Sequence, residues 1–191
     1  MSDLTIVIPA AGRSSRMRGT DKLMQEIDGV PLLARVVARA VQVAPTRVVL
    51  ADGQTGRAAA LADHAAEIIT VDAGQGMAAS LVAGTRGLNS AVMILLADMP
   101  DITAQDLATL AALWRAGAGP ILRAADRDGC PGHPVILPAD ALPQIARLTG
   151  DRGAGDVLKA RAKDVVLYPL GPQACLDLDT PEAWAAWRKG T

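Results

Sequence analysis

Four cations crowd one short stretch of this chain. Arg13, Arg16, Arg18 and Lys22 fall within ten residues, directly after the small residues Ala10, Ala11 and Gly12. Small side chains let backbone N–H groups approach an anion closely, and arginine and lysine supply the compensating charge. A triphosphate needs both. The bland alternative is a solvated basic loop. Two common phosphate cradles do not match: the segment holds neither GxGxxG, which disfavours a dinucleotide-binding oxidoreductase, nor the GxxxxGK[ST] of a Walker loop.

Two acidic motifs stand apart from this loop. Asp98, in Ala97-Asp98-Met99-Pro100, follows the most hydrophobic run of the chain, Val92 to Leu96. A carboxylate at the end of a buried strand can hold a hard cation such as Mg²⁺, which takes oxygen ligands plus substrate phosphate, or it can cap a loop. Near the C-terminus, Leu176-Asp177-Leu178-Asp179-Thr180-Pro181-Glu182 reads as the end of a short strand and the start of a helix. Thr180 suits the N-cap and Pro181 the first turn. Strand alternation sends Asp177 and Asp179 to one face.

The remaining reactive side chains are sparse. His64 lies in an Ala-rich helical stretch and reads as structural, while His133, between Gly132 and Pro134, reads equally as packing or as a substrate contact. With two histidines and no nucleophile–base pairing in view, covalent or general-base chemistry has no obvious agent. Cys130 and Cys175 show no CxxC or CxxH spacing, so the expectation is two buried or half-buried thiols rather than a disulfide framework or a zinc site. Trp114, Trp184 and Trp187 occupy helical positions and read as packing.

The elements that position these residues alternate along the chain. Apolar, β-branched runs at 4–8, 47–50, 68–71, 92–96, 120–123, 134–137 and 165–167 read as strands. Amphipathic stretches at 32–41, 55–65, 77–87, 104–116 and 139–147, and a Gly-rich helix start at 150–156, read as helices. Thr103 with Asp106 forms a capping-box pattern, and Gly117 ends the helix it starts. Strand–helix alternation predicts an α/β, Rossmann-like doubly wound sheet, mainly parallel, in a single domain over 1–191. In such a sheet ligands bind beyond the carboxyl ends of the strands, where the loop at 10–22 and Asp98 both fall.

Composition narrows the function classes. The formal net charge is −1, so neither nucleic acid nor an anionic membrane is an expected partner. The residues Met1 to Pro9 carry Asp3 and no basic leader, and the longest apolar run is far short of a membrane span. A cytoplasmic protein is expected. Without any Phe, and with one Tyr and three Trp, the core must be aliphatic.

Taken in order, Pro9-Ala10-Ala11-Gly12 through Arg16-Met17 and Asp21-Lys22, then Leu95 to Pro100, Gly132-His133-Pro134, and Asp177-Leu178-Asp179-Thr180-Pro181 resemble the MobA-like nucleotidyltransferases. The nearest branch resembles the molybdenum cofactor cytidylyltransferases, called MocA-like. The resemblance implies the nucleotide-diphospho-sugar transferase-like form of the fold, with nucleotide binding over about 1–100 and acceptor binding over about 101–191. It implies that Ala10, Ala11, Gly12, Arg13, Arg16 and Lys22 cradle a nucleoside triphosphate, with Ser80 of Gly74 to Leu81 at the base or ribose. It implies Mg²⁺ on Asp98 and Asp179, Asp177 beside them, and an acceptor pocket bordered by Gly132, His133 and Asp177.

The implied reaction is in-line attack by an acceptor phosphate on the α-phosphate of CTP, with Lys22, Arg16 and Asp98 as catalytic residues and pyrophosphate as the leaving group. A molybdopterin-type cofactor is the implied acceptor, and a molybdoenzyme or its chaperone the implied recipient. The guanylyl-transferring branch usually shows two glycines where this chain has Ala11-Gly12, which by resemblance favours cytidine. The alternatives are the same fold serving a sugar or polyol phosphate or using GTP, and a non-catalytic chaperone that binds nucleotide or cofactor.

Overall fold

The computed structural model describes residues 3–151 and 153–190. Part of the leader reading at Met1–Pro9 and one position of the expected helix start at 150–156 lie outside the described residues. Strand β1 spans Leu4–Pro9, followed by a two-stranded hairpin of β2 (Glu26–Ile27) and β3 (Val30–Pro31) and by helix α1 (Leu32–Ala40). Next come β4 (Thr46–Ala51), α2 (Thr55–Ala59), β5 (Ala66–Val71), α3 (Gly76–Thr85), β6 (Ala91–Ile94) and α4 (Ala104–Arg115). The second part holds β7 (Ile121–Ala125), β8 (Pro131–Leu137), α5 (Leu142–Ile145), α6 (Gly155–Ala160), β9 (Val165–Pro169) and α7 (Pro181–Gly190).

The seven-stranded sheet has the order β5-β4-β1-β6-β8-β7-β9. Strands β5, β4, β1 and β6 run parallel, as do β7 and β9, while β8 runs antiparallel to both β6 and β7. The mainly parallel doubly wound sheet expected from the alternation is therefore what forms. The antiparallel β8 has a consequence for the site. Ile94 pairs with Val135, so the start of β8, with His133, lies beyond the carboxyl end of β6.

Alternating side chains feed two cores. Leu4, Ile6 and Ile8 of β1, with Val48 and Leu50 of β4, pack beneath α1, α4 and Trp184 of α7. Val7, Val49 and Ile94 face the other way, onto Leu81 of α3, Ile145 of α5 and Val157 of α6. These strands are buried on both faces, as their unbroken apolar runs require. Gly84 of α3 is a packing position: a Cβ there would stand 2.5 Å from Val7 Cγ1. Helix α4 carries the expected box, with the Thr103 side chain accepting from the Asp106 amide and the Asp106 carboxylate accepting from the Thr103 amide.

Some boundaries differ from expectation. The stretch at 55–65 is helical only to Ala59 and then turns, and the helix expected at 139–147 is a 3-10 turn followed by the short α5. Leu176–Asp179 is extended but is not a strand: among the described residues it has no ladder partner, and Leu178 N–H donates to the Asp98 carbonyl at 3.0 Å. The hairpin at 26–31 went unread although Asp28-Gly29 is a strong turn signal. Both residues hold left-handed backbones, with φ of 52° and 76°.

Candidate active site

The loop after β1 folds into two 3-10 turns, Ser15–Met17 and Lys22–Met24. Asp21 caps the second by accepting from the Leu23 amide at 3.0 Å. Ser14 and Arg18 hold left-handed backbones, uncommon for residues with a Cβ, so the loop must be held by its surroundings. Arg57 of α2 holds it. The Arg57 side chain is 3 % exposed, and its Nε and Nη2 each donate at 2.7 Å to the two Asp21 oxygens. The same guanidinium donates to the Ala10 carbonyl and, at 3.3 Å, to Ser14 Oγ, which in turn accepts from the Lys22 amide. One buried cation thus ties together the start, middle and end of the loop.

Lys22 reaches from this frame to the two acidic motifs. Its ammonium donates to Asp98 Oδ2 at 2.5 Å and to Asp179 Oδ1, and Arg16 Nη1 donates to Asp179 Oδ2 at 2.7 Å. Asp98 sits beyond β6, next to β1 in the parallel ladder, so its place at the carboxyl edge follows from topology. Asp179 arrives with the extended C-terminal segment. Leu178 is fully buried, so its neighbours Asp177 and Asp179 turn together away from the core. Oxygens of Asp98, Asp177 and Asp179 all lie within 4.8 Å of one another. Thr180 caps α7 through the Ala183 amide at 3.1 Å, as expected, although no strand precedes it.

The electrostatics are those of a tight cation–anion cluster. Burial pushes the Lys22 ammonium down, but the carboxylates of Asp98 and Asp179 outweigh this and hold it above the ordinary lysine range. Asp179, despite burial, is held low by Lys22 and Arg16. Asp177 moves the opposite way, raised by burial and by repulsion from Asp179 and Asp98. Asp98 Oδ1 is buried and lacks a hydrogen-bond partner among the described residues. An oxygen donor set with an orphaned carboxylate oxygen fits a hard divalent cation.

A cavity of about 340 Å³ opens over the start of the loop, lined among others by Ala11, Gly12, Arg13, Ser80, Met77 and Asp151, whereas Arg16 and Lys22 do not line it. Gly12 faces it: a Cβ there would meet no heavy atom within 4 Å, so packing does not explain the glycine. Gly76 is the opposite case. Its φ is +79° and a Cβ would lie 2.4 Å from the Gly150 carbonyl oxygen, which also accepts from the Ala78 amide at 3.1 Å. Gly76 and Asp151 both line the cavity, so this close approach holds two parts of its wall together. Ala10 is buried beneath the loop and outside the lining.

The predicted acceptor residues divide. His133 is half-buried, bonded to the Ile94 backbone, and within electrostatic reach of Asp98. Its Nδ1 is buried without a partner among the described residues. Gly132 is buried against the neighbouring turn: a Cβ would stand 1.9 Å from the Ala174 carbonyl oxygen, so its residue type is set by packing. Sequence reasoning missed two arginines. Arg57 is one, and Arg39 of α1 is the other, donating to the carbonyls of Pro100 and Ile102 at 2.5 and 2.8 Å and pinning the turn after Asp98.

Known proteins resemble this chain in sequence and in fold. The family model of the MobA-like NTP transferase domain matches residues 6–165. The bifunctional protein GlmU of Nitrosococcus oceani is 30 % identical over 164 residues, which is 76 % of this chain and 36 % of that protein. The chain therefore spans about a third of the length of the curated relative it matches. Among solved structures, Rv0371c of Mycobacterium tuberculosis H37Rv superposes over 100 % of both chains with a TM-score of 0.86 at 23 % identity. The same mycobacterial protein is also solved in complex with manganese, with a TM-score of 0.80 and 20 % identity over 100 % of both chains. Molybdopterin-guanine dinucleotide biosynthesis protein A of Archaeoglobus fulgidus gives 0.72 at 18 % identity over 97 % of each chain. At these identities the superpositions show the fold, and the family match carries the assignment. The chain belongs to the MobA-like NTP transferase domain family and is a nucleotidyltransferase.

Proposed function

We propose that the chain transfers CMP from CTP to the phosphate of a molybdopterin-type cofactor, releasing pyrophosphate, with Mg²⁺ as the metal. The observation that carries this reading is the meeting of Lys22 with Asp98 and Asp179 on the β1 loop whose start, at Ala11 to Arg13, lines the cavity. Ala10-Ala11-Gly12 and the family resemblance support cytidine as the base. In this reading the backbone at 11–13, with Arg13, holds the triphosphate, and Ser80 meets the nucleoside.

An acceptor phosphate is already ionised at neutral pH, so the protein's task is positioning and charge neutralisation. His133, held neutral with its other ring nitrogen bonded to the Ile94 backbone, offers Nδ1 to accept from an N–H or O–H of the acceptor rather than removing a proton from its phosphate. Asp98 and Asp179 would hold the metal, with Asp177 beside them, and Mg²⁺ when bound supplies positive charge to the reacting phosphates. Lys22 and Arg16 stabilise the charge that gathers on the departing pyrophosphate.

A sugar or polyol phosphate acceptor, or GTP as donor, would use every one of these residues. One experiment separates the readings: pyrophosphate release measured with each of the four nucleotides against molybdopterin carrying molybdenum and against simple phosphorylated acceptors. Turnover with CTP and the pterin is expected. Equal or faster turnover with GTP, or with a sugar phosphate, would replace the specific assignment.

A further inference from the structure

At the same edge of the sheet, where β7 ends and β8 begins, the fold gathers three ligand groups that the site above does not use. Asp126 follows β7, Cys130 lies in the turn before β8, and Cys175 ends the 3-10 turn Pro172–Cys175. One ligand atom from each lies within 4.8 Å of the other two. The two cysteines, separate in sequence, are therefore neighbours, and both are exposed where buried or half-buried thiols were expected, because each lies in a surface turn. From this geometry we propose that Asp126, Cys130 and Cys175 bind a thiophilic divalent cation of the zinc or cadmium type, at a site distinct from the oxygen-lined cluster at Asp98.

The frame is already built. Asp126 Oδ1 accepts from the Asp128 and Cys130 amides at 2.9 and 2.8 Å, which leaves its second oxygen for the cation. Ligating carboxylates are commonly held in this way by outer hydrogen bonds. The Cys175 thiol donates to the Cys130 carbonyl at 3.2 Å, so the two segments touch directly. Gly132 admits the Ala174 carbonyl where any other residue would place a Cβ, and this fixes Cys175 against the start of β8.

Size and charge fit. Zinc-to-sulfur bonds near 2.3 Å and zinc-to-oxygen bonds near 2.1 Å put tetrahedral ligand atoms about 3.5–3.8 Å apart, a small rotamer adjustment from the present spacing. Arg123 lies within electrostatic reach of both sulfurs and donates to the Gly132 carbonyl at 3.0 Å. A divalent cation together with Arg123 balances two thiolates and one carboxylate. Both thiols are exposed, so the ion enters without local opening and keeps a fourth position for water. Thiolates select softer ions than the all-oxygen cluster does, so Mg²⁺ and this cation need not compete.

The test titrates Cd²⁺ into the reduced, chelator-stripped full chain in excess Mg²⁺, following the near-ultraviolet thiolate-to-cadmium charge-transfer band and the heat of binding. One Cd²⁺ per chain is expected, unchanged in Asp98→Asn. Affinity should fall about tenfold or more in Cys130→Ser and in Cys175→Ser, and measurably in Asp126→Asn. Serine at an exposed cysteine leaves the fold intact, which circular dichroism checks. Absence of the band, a band that survives both serine variants, or cadmium bridging two chains in sedimentation overturns the proposal.

Discussion

Arg57 and Asp21 meet across 36 residues through one edge of the guanidinium, with Nε to Oδ2 and Nη2 to Oδ1 at 2.7 Å each. Burial raises the Asp21 pKa, and Arg57 overcomes this to hold the carboxyl below its usual range. Because Arg57 also holds Ala10 and Ser14, removing it releases the loop that aims Lys22. Arg57→Ala should destabilise the protein by about 2–3 kcal/mol, somewhat less than a fully buried pair, because Asp21 keeps a third of its side chain in solvent. Arg57→Lys keeps the charge but loses the fork, and should lower kcat more than it lowers stability. Urea unfolding and steady-state kinetics on both variants check this; a lysine variant with normal kcat would show that the fork does not position Lys22.

Gly12 isolates the ligand's demands from those of the fold. A Cβ at this position meets open space and no left-handed backbone opposes it, so Gly12→Ala should change stability by no more than about 0.5 kcal/mol. If the triphosphate approaches the backbone here, the added methyl group should weaken nucleotide binding about tenfold, or 1.4 kcal/mol. Thermal unfolding and calorimetry on one variant give both numbers. Unchanged nucleotide affinity would remove Gly12 from the cradle.

How much of this was legible in the sequence differs by residue, and the reason is range. The β1 loop and Asp98 are readable because each is a local pattern, small residues or an acid directly after an apolar run. The parallel sheet then places both at one edge without further information. Arg57 is not readable. It stands alone among small residues in Thr55–Ala59, and only its tertiary partners, Asp21 and Ala10, reveal that it is buried. The pairing of Asp177 with Asp179 followed correctly from alternation about Leu178, yet the strand inferred with it did not form, because no neighbouring strand offers a ladder there. Cys130 and Cys175 meet because the turn before β8 packs on the turn at 172–175, a contact that no spacing motif encodes.

Lys22, Asp98 and Asp179 should behave as one unit. Lys22→Ala removes charge from the departing phosphates and should lower turnover by about a hundredfold or more. The same change frees two carboxylate oxygens from the ammonium, so Mn²⁺ or Mg²⁺ should bind the nucleotide-free variant more tightly than wild type. Asp98→Asn and Asp179→Asn should each remove most activity, and the double variant should be little worse than either single one. Additive losses, measured as ratios of kcat/KM, would place the two carboxylates in separate roles. Metal affinity unchanged in Lys22→Ala would show that ammonium and metal occupy different oxygens.

His133 gives the protein a pH-dependent stability of known sign. Burial, and secondarily the positive charge of Arg123, pushes its pKa down to about 4, whereas an unfolded histidine titrates near 6.5. Between those values the unfolded chain binds a proton that the native chain excludes, so unfolding gains from acid and stability rises with pH across the window. The contribution is complete above about pH 6.5 and drains as pH falls toward 4. From about pH 7.5 to pH 5 it amounts to roughly 2 kcal/mol. His133→Gln cannot take up that proton, so its urea midpoint should fall less than that of wild type over the same interval. The carboxylates, Asp177 and Asp179 included, titrate in both proteins and largely cancel in the difference. Parallel pH slopes for the two proteins would mean that His133 is solvated and charged in the native state, and a charged imidazole beside Asp98 would then replace the neutral acceptor contact assigned to it above.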